Sequence, residues 1–437
     1  MSAAGDTIYA LSSGALPSGV AVVRVSGQEA FSCCRAIAGD VPEPRKARLM
    51  TLVDGEGLPI DTALVLAFQG PSSFTGEDCI EFQLHGGRAV VRAILDRLSA
   101  LPGLRHAEAG EFTRRAFENG KIDLVEAEGL ADMIAAETEM QRRLALEQAG
   151  GGLSELYEGW ARELTHARAM IEAELDFSDE DDIPGSVSAT IWADVEDVAG
   201  RIEKHIAGSR TGEIIRDGYR VVIAGPPNAG KSSLLNALAR RDVAIVTDVA
   251  GTTRDVLEVY LDLDGYAVRL CDTAGLRESD DIVEAEGMRR ARALLENADL
   301  ILSLSDIQTG DAAERFDGEC LRIGTKADGG NGSEAEFDLL ISSRTGAGID
   351  RLVAMIKARL EARLTGASLS LPVRDRQVGY LRETLGHIEA ALVARDRSPE
   401  LPAESLRRAA SALGRITGRV DVEDLLDVIF SSFCVGK

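Results

Sequence analysis

The stretch Gly225-Pro-Pro-Asn-Ala-Gly230-Lys231-Ser232 decides the fold of the region around it. It matches GxxxxGK[ST], follows the apolar run Arg220 to Ala224 and precedes the helical pattern Leu234 to Leu238, the strand–loop–helix context in which this motif is specific. Glycines let backbone N–H groups wrap a β-phosphate, and a helix N-terminus adds partial positive charge. Lys231 can neutralise β and γ oxygens while Ser232 offers a hydroxyl to Mg²⁺. A mere turn before a helix would not need loop, lysine and hydroxyl together.

Working outward, strands and helices alternate from Tyr219. Val256 to Leu263 and Tyr266 to Cys271 flank Asp264-Gly265, and Leu300 to Leu304 and Leu321 to Gly324 supply further strands. This order predicts a mostly parallel sheet wrapped by helices, with a hairpin at one edge. Asp272-Thr273-Ala274-Gly275 ends one strand, placing Asp272 on the Mg²⁺ side and the Gly275 N–H against a γ-phosphate. In Thr325-Lys326-Ala327-Asp328, Asp328 can accept both guanine N1–H and N2–H, donors that adenine lacks, while Lys326 covers the ring. Ser342-Ser343-Arg344 should support the base from below. In order and spacing these motifs resemble those of translation-factor-type GTPases, so the nucleotide is GTP. Thr325 stands where such proteins carry Asn, which removes a side-chain amide expected to bridge base site and phosphate loop. Only Asp306 to Glu319 joins two presumed parallel strands, so a crossover helix there must be short or distorted.

Leu276 follows Gly275, where Ras-type proteins place the Gln that orients water. The carboxylates that follow, Glu278, Asp280, Asp281 and Glu284, are candidates for that task, and spacing does not choose among them. Val246-Thr247-Asp248-Val249-Ala250-Gly251-Thr252-Thr253-Arg254-Asp255 reads as a switch loop with hydroxyls able to reach Mg²⁺ and the γ-phosphate. Arg254 is either an arginine finger in cis or the local ion-pair partner of Asp255.

The whole chain, at 437 residues, exceeds one ordinary core, and its hydrophobic content of 45% suits globular packing. The first ~120 residues mix short β-like runs (Gly19 to Val25, Thr62 to Phe68, Cys79 to Leu84) with turns, an α+β pattern. Leu124, Ala127, Ala131, Ile134 and Thr138 then recur at helical spacing. So do Leu153, Leu156, Trp160, Leu164, Ala167, Ile171 and Leu175, a core-packing stripe. The acidic cluster Asp176, Asp179, Glu180, Asp181 and Asp182 lacks the glycine and spacing of a calcium loop and reads as a solvated turn. Past Thr365 the chain is helical again, so a helical domain is interrupted by the nucleotide domain. The six cysteines form no CxxC pair and suit a reducing compartment, no run is long enough to span a bilayer, and a cytoplasmic protein is expected. A net charge of -24 opposes general binding of polyanions.

With these residues in place, the chain resembles the tRNA-modification GTPase family MnmE (TrmE) over nearly its full length. Beyond the nucleotide motifs, the resemblance rests on Asp6-Thr-Ile8, Arg24-Val-Ser-Gly27, Phe74-Thr-Gly-Glu-Asp78, His85-Gly-Gly87, Gly110-Glu-Phe-Thr-Arg-Arg-Ala-Phe117, Asn119-Gly-Lys-Ile-Asp-Leu124, Asp424-Leu-Leu-Asp427 and the terminal Phe433-Cys-Val-Gly-Lys437. It implies a multidomain α+β and α/β protein with four segments. These are an N-terminal folate-binding and dimerisation domain (1–120), a discontinuous helical domain (121–214 and 366–437), and an inserted Ras-like P-loop GTPase domain (215–365). It also implies a homodimer that forms a heterotetramer or larger complex with the FAD protein MnmG (GidA). Together they would place an aminomethyl-type group on C5 of the wobble uridine of certain tRNAs, drawing one carbon from a tetrahydrofolate derivative (5,10-methylene- or 5-formyl-).

By the same resemblance, Arg24, Glu81, Lys121 and Lys437 contact folate; read from chemistry alone, each is a surface ion-pair residue. K⁺ replaces the arginine finger, held by Asn228, Thr247, Val249 and Thr252. Ser232 and Thr253 hold Mg²⁺, and Glu284 is the catalytic glutamate beside Lys231. The nucleotide contacts extend over Asn228 to Ser233, including Ala229 and Gly230, and over Thr247 to Thr253. Cys434 reads as a thiol without catalytic duty, because no histidine lies near it in sequence. The acidity implies that tRNA is held mainly by the partner, with Arg407, Arg408, Arg415 and Arg419 as a supplementary patch or as ordinary helix solvation. A pure assembly switch is the competing class, and the folate-type motifs weigh against it.

Overall fold

The computed structural model describes residues 6–176, 187–241, 243–245, 258–272, 289, 292–309, 314–329, 336–366, 368–397, 400–420, 423–431, 433 and 435–436. By contact the chain forms two units, Met1–Ala131 with Gly414–Lys437, and Asp132–Leu413.

The first unit is built on a six-stranded sheet of β1 (Thr7–Leu11), β2 (Ser18–Ser26), β3 (Arg48–Val53), β4 (Pro59–Phe68), β5 (Cys79–Gly86) and β6 (Leu104–His106), in the order β3-β4-β5-β2-β1-β6. Strand alternation sends Val23, Val25, Phe82 and Leu84 to one face. There they meet Ile37 of α1 (Ala30–Ala38) and Val91, Ile94 and Leu98 of α2 (Arg88–Ser99). On the other face Val20, Leu49 and Leu64 are 58%, 65% and 41% exposed. The C-terminal residues belong to this unit. Phe117 of α3 (Glu111–Glu118) and Leu124 pack with Leu426, Phe430 and Phe433, and Arg114 pairs with Asp427 at 2.8 Å. Val435 adds a β-bridge to Ala109. The N-terminal motif Gly110 to Phe117 and the tail motif are thus two sides of one core.

The helical periodicity from Leu124 to Thr138 resolves into two helices, α4 (Leu124–Ala135), which belongs to the first unit as far as Ala131, and α5 (Glu139–Ala149), in the second. Thr138 is a helix cap, not a stripe residue. It forms a capping box with Gln141, satisfying backbone donors that a continuous helix would not expose. On α6 (Gly152–Asp176) the expected stripe is buried at Leu153, Trp160, Leu164, Ala167 and Ile171; Leu156 is half-buried and Tyr157 takes the core position. Helix α7 (Val187–Ala207) packs on both α6 and Asp375–Ala394.

The seven-stranded sheet follows α8 (Ser209–Asp217): β7 (Tyr219–Ala224), β8 (Ala244–Ile245), β9 (Glu258–Leu263), β10 (Tyr266–Asp272), β11 (Leu300–Asp306), β12 (Cys320–Thr325) and β13 (Leu339–Leu340), ordered β13-β12-β11-β7-β10-β9-β8. β7 runs parallel to both β10 and β11, β12 continues parallel, and β9–β10 is the expected hairpin. The two-residue β8 beyond that hairpin is too short for sequence to mark. Residues 307–309 of the β11–β12 crossover form a turn, and the described part of the crossover contains no helix. Helices α9 (Lys231–Ala239) and α10 (Ile349–Leu364) complete the layers. Helix α5 keys into this domain: Leu144 joins its core, the Met140 N–H donates to Gly265 O at 2.9 Å, and Gln141 Nε2 donates to Arg216 O at 2.9 Å. Asp132 binds Arg216 at 3.1 Å and Arg374 at 2.9 Å, joining the segments by which the chain enters and leaves the sheet domain.

Between α6 and α7, His205 accepts or donates at 3.1 Å to the Tyr157 hydroxyl and lies edge-on to Tyr157 and Trp160. Burial lowers its pKa from 6.5 to about 4. The unfolded chain therefore binds this proton between those values and the folded chain does not, so stability is full above pH 6.5 and falls as pH drops toward 4. The loss should approach about 3 kcal/mol. Both tryptophans, Trp160 and Trp192, lie on these helices, so the fluorescence-detected melting midpoint should drop across that window. His205→Phe should flatten the drop; an equal fall in the variant would exclude His205 as its origin.

Candidate nucleotide site

Parallel pairing brings the carboxyl ends of β7, β10, β11 and β12 to one edge, the position where open α/β sheets bind ligands. Gly225 leaves β7 with φ +144°, and a Cβ there would stand 2.3 Å from Leu304 O of the neighbouring strand, so only glycine lets the loop turn here. Asn228, exposed at the loop's tip, adopts φ 64°. Gly230 is the left-handed cap from which α9 starts, which aims the first backbone N–H groups of the helix at the loop.

Lys231 is buried, and its ammonium donates to Gly225 O and Pro226 O, each at 2.8 Å, which holds the charge inside the curl of the loop. Ser232 Oγ donates to Asp272 Oδ2 at 3.0 Å, and Asp272, at the end of β10, is fully buried. A hydroxyl and a carboxylate that close, both hard oxygen donors at a helix N-terminus, suit Mg²⁺. Ser233 is exposed on the next position of the helix.

Around the base-recognition segment the geometry adds what the motif did not. Thr325 is buried, and its hydroxyl lies 2.8 Å from Ala229 O of the phosphate loop and 3.2 Å from Ser305 O. One hydroxyl has one proton, and the shorter contact goes to the phosphate loop. The bridge expected to vanish with the missing Asn is therefore present, made by a hydroxyl. Lys326, at φ 58°, pairs with Asp306 Oδ2 at 2.6 Å, and this bond holds the Asp306 carboxyl below its usual pKa. Ser342, buried after β13, donates to Asp328 Oδ1 at 2.6 Å, and exposed Arg344 reaches Asp328 Oδ2 at 2.5 Å. The hydroxyl, then the guanidinium, depress the Asp328 pKa, so the carboxylate is ionised and aimed as a double acceptor. Ser342 and Arg344 thus act on Asp328; Ser343 is half-buried beside them.

Thr247, Asp248, Val249, Ala250, Gly251, Thr252, Thr253, Thr273, Ala274, Gly275, Glu284, Cys434 and Lys437 lie outside the described residues. In the N-terminal unit, Arg24 and Glu81 are cross-strand partners, with Nε and Nη2 of Arg24 on Glu81 Oε1 at 3.0 and 2.9 Å. Lys121 is exposed and begins no ion pair among the described residues. Arg407 and Arg408 both bind Glu404, at 2.7 and 2.8 Å, and together hold its pKa near 2. The one carboxylate offsets half of their joint charge, which leaves less for a polyanion than the sequence suggested. Among the described residues no group of His, Cys, Asp and Glu forms a metal cluster, and no helix is long and apolar enough to cross a membrane.

Residues 124–434 match a family model described as MnmE helical domain, and residues 7–121 one described as GTP-binding protein TrmE N-terminus. The tRNA modification GTPase MnmE of Sinorhizobium medicae (strain WSM419) is 58% identical over 99% of both chains. That of Rhizobium meliloti (strain 1021) is 59% identical over 99% of both, and that of Agrobacterium fabrum 54% over 99% of both.

Thr325→Ala should break the tie to the phosphate loop and cost about 1–2 kcal/mol of guanine-nucleotide binding, a roughly 5- to 30-fold weaker Kd in a fluorescent-GDP titration. Thr325→Asn, which restores a donor, should bind within a few-fold of the wild type. Equal affinity in Thr325→Ala would show the bond to be irrelevant.

Proposed function

This chain belongs to the MnmE (TrmE) family, and we propose that it is a K⁺-activated GTP hydrolase that drives modification of the wobble uridine in certain tRNAs. The observation that supports this best is the convergence of Lys231, Ser232, Asp272, Thr325 and Asp328 on one sheet edge, with a hydroxyl and a carboxylate 3.0 Å apart beside the phosphate loop.

Asp328, oriented by Ser342, accepts two N–H groups of guanine, and Lys231 exchanges the loop carbonyls for β- and γ-phosphate oxygens. Ser232 and Thr253 hold Mg²⁺, with Asp272 behind Ser232; Asn228, Thr247, Val249 and Thr252 hold K⁺. Cations at these positions offset the negative charge that grows on the transferring phosphoryl group. Asn228 fits that role in kind: a neutral amide oxygen on an exposed loop tip. Glu284 orients water, whose oxygen bonds to the γ-phosphorus as the bond to the β–γ bridging oxygen breaks. GDP leaves with that electron pair, and the water proton passes to phosphate or carboxylate.

In the N-terminal unit, Arg24, Glu81, Lys121 and Lys437 hold a tetrahydrofolate derivative, which supplies the one-carbon unit for an aminomethyl-type group on uridine C5. Both Arg24 contacts fall on Glu81 Oε1, and among the described residues Oε2 has no partner, so an acceptor remains for a pterin N–H edge. The exposed sheet face with Val20, Leu49 and Leu64 suits a second copy of the chain, giving the homodimer. An FAD protein of the MnmG type completes the complex and carries most of the tRNA contact, in keeping with the net charge of -24. The domain division at 120, 214 and 365, and a cytoplasmic location, belong to the same proposal.

GTP turnover should rise roughly tenfold or more when K⁺ replaces Na⁺, and Asn228→Ala should abolish the difference. Equal rates in the two salts would remove the ion as activator. Separately, 5-formyl-tetrahydrofolate should bind the purified chain, and Arg24→Ala should weaken it at least tenfold by calorimetry. No binding would end the coupled-enzyme reading in favour of an assembly switch.

A further inference from the structure

The N-terminal unit contains a buried polar network that serves neither the sheet ladder nor the proposed hydrolysis. Ser26 and Thr75 are fully buried with hydroxyls 2.7 Å apart, and Ser26 Oγ donates to Glu77 Oε2 at 2.6 Å. Since Ser26 gives its one proton to Glu77, Thr75 is the donor to Ser26. Cys79 Sγ sits 3.2 Å from both hydroxyls. Glu77 also receives Arg115 Nη1 at 3.1 Å, and buried Arg115 is held in turn by Glu111 at 3.1 Å and by Asp6 O at 2.9 Å. From the other side, Asn119 Nδ2 donates to Thr75 O at 2.7 Å.

The bonds from Ser26, from Arg115 to Glu77 and from Asn119 end on the loop between β4 and β5, residues 69–78, whose only aromatic residue is Phe74. Held this way, Phe74 keeps 37% of its surface exposed. Its ring centroid lies 5.6 Å from the Arg24 guanidinium, as does that of Phe112. The loop also reaches Lys121: at Gly76, with φ +80°, a Cβ would meet Asn119 Cβ at 3.0 Å and Lys121 Cε at 3.1 Å. A half-exposed aromatic ring is ordinarily left to move, since ordering it in water gains little. Here a satisfied, buried hydrogen-bond network fixes one beside Arg24, Glu81 and Lys121.

We propose that Phe74 is a wall of the ligand site in this unit, stacking on the flat heterocycle of a reduced pterin. Ser26, Thr75, Glu77, Arg115 and Asn119 are positioning residues that act through it. This rests on the folate reading above and adds to it the residue that recognises the ring by its face. Arg24 is then gripped by Glu81 in its plane and by rings beside it, so its charge stays fixed while the ligand stacks.

The test is calorimetric titration of 5-formyl-tetrahydrofolate into the full chain. Phe74→Ala should weaken binding roughly tenfold or more and Phe74→Leu nearly as much, whereas Phe74→Tyr should restore it. Thr75→Val and Asn119→Ala should each weaken binding in the Phe74 background and have no further effect when added to Phe74→Ala, a coupling that general loss of stability would not produce. Melting midpoints identify any variant that is misfolded, and exposed Phe74→Leu is the one least exposed to that outcome. If the wild type binds and Arg24→Ala weakens it while Phe74→Leu binds as the wild type does, this inference falls and the folate reading stands. If the wild type does not bind, both fall.

Discussion

Two strands that pair in parallel must run the same way, and therefore end on the same side. In the Asp132–Leu413 unit that requirement collects a phosphate loop, an acid and a base-recognition segment from positions about 100 residues apart in the chain. Asp272 lies in register with Ile223, so the carboxylate ends up beside the loop that leaves β7. Thr325 lies in register with Asp306, which sets Lys326 within reach of it. The cross-tie from Thr325 to Ala229 then makes the base site and the phosphate site one object rather than two neighbours. Everything else in the unit serves to hold that edge: α5 is keyed to the far side of the sheet, and Asp132 clamps the two crossings.

Much of this edge was legible because phosphate and guanine chemistry leave few residue choices. Lys231, Ser232, Asp272 and Asp328 could be assigned from type and spacing, and the structure brings them together. What sequence did not disclose were bonds between motifs. The Thr325 hydroxyl takes over a bridge because the carbonyl of Ala229 happens to be within 2.8 Å, a fact of packing that no local pattern encodes. Ser342 was read as a support for the base and proves to orient Asp328. Thr138 kept helical spacing while ending the helical run, because a cap and a stripe residue can share the same position modulo one turn. Strands β1, β3 and β6 were missed for different reasons: β1 is short and buried on both faces, so it carries no alternation, while β3 is half exposed and β6 has three residues.

The N-terminal unit follows a different logic. Its sheet has one face sealed by helices and one covered only in part, by Phe112 over Ile8 and Ala10, and its polar groups are concentrated where the loop of Phe74 meets the strands. Charge there is handled in matched pairs, Arg115 with Glu77 and Glu111, Arg105 with Glu111 and Asp6, so that few of the buried ions are left uncompensated. The same habit recurs on the helical surface, where Arg407 and Arg408 share the one carboxylate of Glu404, which offsets half of their joint charge.

The packing of Phe430, Phe433 and Val435 onto residues 109–127 bears on how the molecule is made. A ribosome delivers the chain from its amino end, so the first sheet emerges more than three hundred residues before the segment that closes its core. During that interval the sheet domain and helical bundle can fold while the N-terminal unit waits with an apolar flank uncovered. Completion of the amino-terminal unit thereby waits for the segment around Phe430, and a product that stops before it would present that flank to chaperones and proteases rather than to its partners.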